Sequence, residues 1–303
     1  MTTSKEFIQM CKEGRLADAK RAITNDPDVG VGVSTNGVCT NRELAVQFAC
    51  CNGHLRVSQW LLRVKPNINI SANNEYAFRI ACHNGHLRVS QWLLRVKPNI
   101  NISANNEYAF RIACHNGHLR VAQWLLRVKP DINISANNES AFQIACCRGH
   151  LRVARWLLRV KSDIDIGASN KLAFTSACIN GHLRTAQWLL RVKPDIVVCA
   201  RGEHAFQWAC VKGHLRVVRW LLQVNPDINI RASNEFAFRL ACYYGHLRTA
   251  QWLLRVKPDI DVGVNNDCVF KFACTNNCKS VAKWLLQVNP TLAVKFEMGS
   301  RCC

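Results

Sequence analysis

Cysteine and histidine are the residues whose types and spacing first suggest chemistry in this chain. Cys82 and His86 lie four residues apart, and the pair recurs at a step of 32 residues. Zinc accepts such ligands, but four of them must converge at about 2.0–2.3 Å. Packed helices stand about 8–10 Å apart, so ligands from neighbouring copies would not converge. We therefore expect the cysteine to pack as a small apolar side chain, and we predict no bound metal.

The histidines offer a second possibility, general base catalysis. A general base needs a proton donor or a nucleophile beside it at one place, whereas this histidine recurs in similar GHL tripeptides. The sequence contains no G-x-S-x-G elbow, P-loop, H-E-x-x-H motif or kinase motif set. It thus predicts a protein that is not an enzyme and needs no cofactor. The seven histidines are His54, His86, His118, His150, His182, His214 and His246.

The repeat that carries these residues begins with a short helix. One copy reads NNEYAFRIACHNGHLRVSQWLLRVKPNINISA, from Asn73 to Ala104. The apolar residues of its YAFRIAC segment share one helical face. Asn74 is a predicted N-cap, and Glu75 is favourable at the positive end of the helix dipole. Gly85 is predicted to end this helix, which we call the inner helix.

A second helix, called here the outer helix, follows Gly85 in each copy. Its sequence LRVSQWLLRV places apolar and polar residues on opposite faces, and Pro98 ends it. Residues 99–104 are then a connector, either a loop or a tight hairpin. A tryptophan recurs in every outer helix from Trp60 to Trp284. We expect these large rings to pack in the groove between successive outer helices.

Neither helix can bury its apolar face alone, so the copies must stack. The sequence therefore predicts an all-α repeat solenoid of about nine helix-turn-helix units joined by short hairpins or loops. Residues 1–40 are assigned to an N-terminal capping repeat and a Gly-rich loop, with the capping helices within 5–23. Residues 41–290 are assigned to eight repeats forming one solenoid, and residues 291–303 to a C-terminal tail.

Composition narrows the class of protein. The net charge is +20, from 40 Lys and Arg against 20 Asp and Glu, and the first 40 residues carry five of each sign. The excess charge therefore belongs to the repeats. No apolar run reaches the about 18 residues of a membrane-spanning helix. The N-terminus lacks the apolar core of a secretory signal, so we expect a protein of the cytoplasm or nucleus with reduced thiols.

The repeat resembles the ankyrin repeat, which has about 33 residues and a T-P-L-H-x-A signature. The corresponding run here is YAFRIA at 76–81; the Thr, Pro and His are missing, while the GHL and outer-helix frame remains. The shorter period predicts a trimmed connecting hairpin. The YAF–AC–NGHL–WLL style is similar to divergent ankyrin arrays of large DNA viruses of amoebae.

The resemblance implies a function and a role for the histidine. It implies a monomeric, non-catalytic protein–protein interaction scaffold, here a viral protein docking on a partner inside the host cell. In the family, the GHL histidine ties neighbouring loops together by hydrogen bonds. The chain also ends in Cys302-Cys303, which resembles the doubly prenylated end of small GTPases. No GTPase body accompanies it, so lipidation is disfavoured.

The resemblance places on a concave face two variable positions that directly follow the recurring cysteine. Variation within a rigid frame indicates a recognition surface, although drift at unconstrained exposed positions gives the same pattern. Tyr243 and Tyr244 are the predicted anchor, because tyrosine is enriched at interface hot spots. The candidate partner-binding residues are His83, Asn84, His115, Asn116, Arg148, Asn180, Lys212, Tyr243 and Tyr244.

Rows of basic residues in the outer helices form a second candidate surface. Cations near a helix C-terminus favour its dipole, but a stripe of one sign also attracts anions at long range. Three interpretations stay open: a solvated face, a site for an acidic protein partner, and an electrostatic binder of nucleic acid or acidic membrane. The main row, called here the basic ladder, is Arg56, Arg88, Arg120, Arg152, Arg184, Arg216 and Arg248. A second row is Arg63, Arg95, Arg127, Arg159, Arg191 and Arg255, interrupted by Gln223 and Gln287.

Overall fold

A computed structural model describes residues 2–29, 41–194 and 201–292 of the chain. Eighteen helices and no strand lie within these ranges. They are α1 Ser4–Lys12, α2 Leu16–Asn25, α3 Asn41–Cys51, α4 Leu55–Val64, α5 Ala72–His83, α6 Leu87–Val96, α7 Ala104–His115, α8 Leu119–Val128, α9 Ala136–Cys147, α10 Leu151–Val160, α11 Ala168–Ile179, α12 Leu183–Val192, α13 Arg201–Val211, α14 Leu215–Val224, α15 Ala232–Tyr243, α16 Leu247–Val256, α17 Val264–Thr275 and α18 Lys279–Val288. Odd-numbered helices are inner and even-numbered helices are outer, which confirms the predicted helix pairs.

The chain divides into two compact units. Unit 1 comprises Met1–Ala145 and Arg152–Ile164, and unit 2 comprises Cys146–Leu151 and Asp165–Cys303. In unit 1, α1 packs on α3, α3 on α5, and α5 on α7; in unit 2, α11 packs on α13, α13 on α15, and α15 on α17. Each unit is therefore an all-α stack of repeats. The single solenoid predicted for residues 41–290 stays a prediction, and most of the predicted Gly-rich loop and tail lies outside the described residues.

One aromatic and one aliphatic side chain form the repeated core. Phe78 of the inner helix and Leu93 of the outer helix are both buried, and the same residue types are buried in later copies. Burying one such side chain stabilises the fold by about 1.5–3 kcal/mol. Trp124 packs against Phe78 of the preceding copy, with ring centroids 6.2 Å apart, and is itself buried. The predicted packing role of the tryptophan is thus confirmed for this copy.

The connector between copies is a loop built from turns and contains no strand among its described copies. The backbone N–H of Ile100 donates to the Lys97 carbonyl at 3.2 Å, and that of Ala104 donates to the Asn101 carbonyl at 3.1 Å. Ile100 and Ile102 are both buried. Two turns in sequence let the short connector point alternate apolar side chains into the core. Of the two alternatives that the sequence left open for this connector, a loop or a tight hairpin, the structure shows the loop.

The start of the inner helix differs from the prediction. Asn73, Asn74 and Glu75 all have left-handed backbone, with φ near 60°, and the right-handed helix begins only after them. Asn74 therefore does not act as the predicted N-cap, which needs extended backbone. Left-handed backbone costs roughly 1–2 kcal/mol per non-glycine residue, less for asparagine. We call this segment the left-handed turn; it recurs at 105–107, 137–139 and 233–235.

Hydrogen bonds within the left-handed turn offset part of that cost. The Ser71 hydroxyl donates to a Glu75 carboxylate oxygen at 2.6 Å, and the Glu75 N–H donates to the Ser71 carbonyl. The guanidinium of Arg79 donates to the Asn74 carbonyl at 2.7 Å. Glu75 is thus a partner of Ser71, and its predicted role at the helix dipole is secondary.

Candidate interaction surfaces

The GHL histidine links each loop to the one before it. His54 Nε2 donates to the Lys12 carbonyl at 3.1 Å, and its ring lies against Gly14. A Cβ on Gly14 would come within 2.6 Å of His54 Nδ1, and the glycine has a φ of +76°, which disfavours any side chain. The hydrogen bond implied by the family resemblance is confirmed here, and it is a structural tie.

Burial keeps several of these histidines uncharged near neutral pH. Burial lowers the pKa of His86, although its hydrogen bond to the Cys51 backbone raises it in part. Burial likewise lowers the pKa of His118, His182, His214 and His246. A neutral ring donates from one nitrogen, which is what a bond to a carbonyl requires.

The recurring cysteine is a core residue. Cys82 is fully buried, and its Sγ donates to the Ser90 hydroxyl at 3.4 Å. Burial raises the pKa of Cys82 to about 12, so the thiol is not a nucleophile near neutral pH. Among the described residues, no group of three or more His, Cys, Asp or Glu side chains is placed to hold a metal ion.

The candidate residues of unit 1 form a hydrogen-bonded row along the ends of the inner helices. The Asn84 amide donates to the Cys51 carbonyl at 2.7 Å, and the Asn116 amide donates to the His83 carbonyl at 2.8 Å. His83 Nδ1 lies 2.7 Å from the Asn84 side-chain oxygen, and the pair of His115 and Asn116 has the same distance. These four residues already serve the stack, so their polar groups are largely occupied.

Unit 2 presents a different surface at the same repeat positions. Tyr243 packs edge-on against Tyr244 at 4.8 Å and against Phe272 at 5.4 Å, measured between ring centroids. Tyr244 is 55% exposed and Phe272 is 42% exposed. We call these three residues the aromatic cluster. The structure thus brings the predicted anchor residues into contact and adds Phe272 to them.

A positive charge lies beside the aromatic cluster. Tyr244 stacks on His246 with ring centroids 6.5 Å apart. Lys212 directly follows α13 and holds in the preceding copy the position that Tyr244 holds after α15, and these two helices pack together. Burial lowers the pKa of His246, and the positive charge of Lys212 also lowers it. Lys212 and Arg148 are both exposed. The remaining candidate, Asn180, donates its side-chain amide to the Cys147 carbonyl at 3.1 Å. Lys212 therefore lies near the cluster, while Asn180 resembles the asparagines of unit 1.

Two aromatic residues were missed by the sequence reasoning. Phe272 and Trp208 lie two positions before the recurring cysteine, where the copies of unit 1 have Phe48, Ile80, Ile112 and Ile144. Trp208 contacts Phe236 with ring centroids 6.2 Å apart. This position also varies between copies, so a comparison of copies that covered the whole exposed side of the inner helix would have found it.

All seven arginines of the basic ladder are exposed, and each is the second residue of its outer helix. A cation there opposes the helix dipole, so the dipole argument applies to the Arg63 row but not to this one. Among the described residues, none of the seven forms an ion pair within 4.0 Å. By contrast, Lys129 and Lys161 each pair with an aspartate at 3.0 Å. The basic ladder is therefore uncompensated charge.

The arrangement of the described residues defines a class of protein. Short antiparallel helix pairs stack through a repeated core, and adjoining loops are tied by histidine. No helix in the described ranges has both the length and the apolar character needed to cross a membrane. The chain is a helical repeat protein with variable exposed faces.

The family follows from comparison with known proteins. The family profile described as ankyrin repeats (3 copies) matches residues 7–106, 78–170 and 164–232. These overlapping stretches cover more than half of the chain, so it belongs to the ankyrin-repeat family. A comparison with curated protein sequences found no match. Ankyrin repeats are generally protein–protein interaction modules, and proteins built from them are typically non-catalytic scaffolds.

Proposed function

We propose that this chain is a non-catalytic interaction scaffold whose protein partner binds the aromatic cluster of unit 2. The observation that carries the proposal is the contact of Tyr243, Tyr244 and Phe272 on an exposed surface. Aromatic side chains provide a large contact area, lose little conformational entropy on binding and dominate many binding hot spots. Lys212 beside the cluster favours a partner segment that combines an apolar side chain with acidic residues.

The wider setting of this interaction is also part of the proposal. The likeness of the repeats to viral ankyrin arrays supports a viral protein that docks, as a monomer, on a partner in the cytoplasm or nucleus of a host cell. Size-exclusion chromatography with light scattering tests the monomer. A single species of about twice the chain mass would contradict it.

A matched pair of variants tests the aromatic cluster. The triple variant Tyr243→Ala, Tyr244→Ala, Phe272→Ala should lose captured partners, with affinity reduced at least about thirtyfold, as expected for hot-spot side chains. The control is Tyr76→Ala with Tyr108→Ala in unit 1, which should keep them. Circular dichroism must show equal helix content in all three proteins. A triple variant that retains every partner would refute the proposal.

The alternative function is electrostatic binding of nucleic acid or acidic membrane. The salt dependence of binding distinguishes it from the first proposal. Binding through phosphate contacts weakens steeply as salt rises. Titration with random DNA and with anionic vesicles at about 0.15 M salt measures it directly. Tight binding of either at that salt would favour the alternative. Trp92, Trp124 and Trp188 of the outer helices are buried, so these three rings offer no stacking platform for single-stranded bases.

A further inference from the structure

Four of the five outer helices of unit 1, those after α2, carry a second surface that is distinct from the aromatic cluster. The helices α4, α6, α8 and α10 contain nine arginines and no acidic residue. Their first turns hold the basic ladder, and their last turns hold the Arg63 row. Each of these helices also ends in an exposed valine, such as Val96, which is 42% exposed. The surface is therefore basic and apolar at once.

Open notches lie between successive outer helices of this unit. The notch between α4 and α6 has a volume of about 370 Å³ and is lined by Gln59, Leu62, Arg63, Pro66, Trp92 and Val96. The next notch, of about 360 Å³, is lined by Gln91, Leu94, Arg95, Trp124 and Val128, the same residue types one repeat later. Each of these two notches thus joins an aliphatic floor to one arginine.

A third notch continues the series between α8 and α10. It has a volume of about 460 Å³ and is lined in part by Leu126, Pro130 and Val160. Its cation is Lys161, which already pairs with Asp163 at 3.0 Å. The apolar feature therefore recurs in all three notches, whereas free positive charge is concentrated in the first two.

The spacing expected between packed helices favours one conformation for a ligand that would fill these notches. Adjacent helices stand about 8–10 Å apart. A polyproline II segment rises about 3.1 Å per residue and returns to the same face every third residue, or about 9.3 Å. One turn of such a segment therefore matches one repeat of the stack. A segment with one acidic and one apolar residue in each three would meet one arginine and one notch per turn.

We propose that the outer face of unit 1 binds an acidic polypeptide segment in polyproline II conformation, with acidic and apolar residues each recurring every third residue. Charge complementarity selects the sign, because the four helices offer arginine and no carboxylate. The notches favour a polypeptide over a nucleic acid, because the phosphate backbone has no aliphatic side chain to place in them. This proposal does not depend on the aromatic cluster.

A synthetic peptide tests the proposal without an unknown partner. The probe is a labelled peptide of five tandem copies of Asp-Leu-Pro, measured by fluorescence anisotropy at about 0.05 M salt, where screening is weak. The first control replaces every Leu by Ser, which keeps the charge, and binding should weaken about fivefold. The second control inserts one more Pro in each copy, which shifts the period from three to four. Equal binding of either control and the probe would overturn the proposal.

Protein variants locate the binding site. Changing Arg63, Arg95 and Arg127 to Gln should weaken binding of the probe about tenfold. The chain itself has Gln223 and Gln287 at equivalent positions of unit 2, so the fold accepts this change. The charge-matched control is Lys5→Gln, Lys20→Gln, Arg21→Gln, and it should stay within about twofold of the wild type.

Two further outcomes complete the test. The double variant Val96→Ser, Val128→Ser should also bind the probe more weakly, since both side chains line notches. Both are exposed enough that the substitutions should not unfold the protein. Unchanged affinity in this variant would show that the notches are not used. Random single-stranded or duplex DNA that displaces the probe better than unlabelled peptide does would also overturn the proposal.

Discussion

Units 1 and 2 share one core but present different surfaces. Unit 1 repeats EYAFRIACHNGHLRV twice, and its inner-helix ends are closed by the bonds of Asn84 and Asn116 to the preceding copy. One copy of unit 2 has Tyr243 and Tyr244 at these positions, and both rings contact each other while Tyr243 also contacts Phe272 of the next copy; Tyr244 and Phe272 are exposed. The comparison teaches that a repeat frame is kept by a few buried positions, while recognition can change at neighbouring positions without disturbing them.

The largest expected effect tests whether the core is indeed common to both units. Phe110 in unit 1 and Phe238 in unit 2 are both fully buried. Phe110→Ala and Phe238→Ala should each lower the free energy of unfolding by about 3–5 kcal/mol, because each leaves a cavity in a packed core. Urea denaturation followed by circular dichroism measures both. If the two losses in free energy of unfolding differ by more than about 2 kcal/mol, the two units do not share one core, because the cost of the same substitution depends on how tightly its site is packed.

A second test concerns the glycine that accepts the histidine ring of the next copy. A Cβ on Gly213 would lie 2.5 Å from His246 Nδ1, whereas a Cβ on Gly245 would lie 3.1 Å from Cys278 Sγ. Both glycines have φ above +70°. Gly213→Ala should therefore lower the free energy of unfolding by about 2–3 kcal/mol, from backbone strain and a steric clash.

Gly245→Ala is the matched control for that change. It retains the backbone strain but meets only a thiol, so it should cost about 1 kcal/mol. Thermal unfolding of both variants provides the measurement. Equal costs would mean that the ring contact does not limit the glycine, and that the two kinds of junction are equivalent.

The smallest expected effect concerns how the stability of the fold depends on pH. Burial lowers the pKa of His86 and His118 in unit 1 and of His182, His214 and His246 in unit 2. The unfolded chain then binds more protons than the folded chain below the usual histidine pKa of about 6.5. Stability is therefore full above that pH and is lost as pH falls below it.

Urea midpoints at pH 7.5 and pH 5.5 measure this loss, with pH values chosen on either side of about 6.5. His118→Gln should reduce the difference between the two midpoints, because one titrating ring is removed. An unchanged or larger difference would show that other groups control the acid sensitivity. The effect should be similar for His214→Gln, since burial is the first cause of the lowered pKa in both units.

Much of the fold was predictable because periodic apolar residues specify helix faces directly. The helix pairs, the glycine that ends each inner helix and the core role of Cys82 all followed from the pattern. The left-handed turn did not, because Asn74 is favourable both as an N-cap and in left-handed backbone. Local residue type could not decide between them; the bond from Ser71 to Glu75, four residues apart, does so in the structure.

The interaction surfaces were predictable only in part. Variation between copies pointed to Tyr243 and Tyr244, but it gave the same weight to Asn84 and Asn116, whose amides are used within the stack. That difference depends on distances between neighbouring copies, which a single repeat does not contain. The second position of the outer helix shows the same limit: spacing places Arg56 in a row, but its exposure and its lack of an ion pair within 4.0 Å among the described residues depend on the three-dimensional packing.

The glycine and histidine of each junction have a consequence for how such a chain can grow. The space left by Gly85 is filled by His118, which lies one full repeat later. An inserted whole repeat therefore supplies both a glycine that leaves the space and a histidine that fills the space of the preceding copy. An insertion of part of a repeat leaves one of these two residues without its partner. At the junction where Gly245 meets Cys278, a thiol stands where other junctions have a histidine ring, so the residue that fills the space can change. Gene duplication in steps of one repeat is thus compatible with every junction it creates.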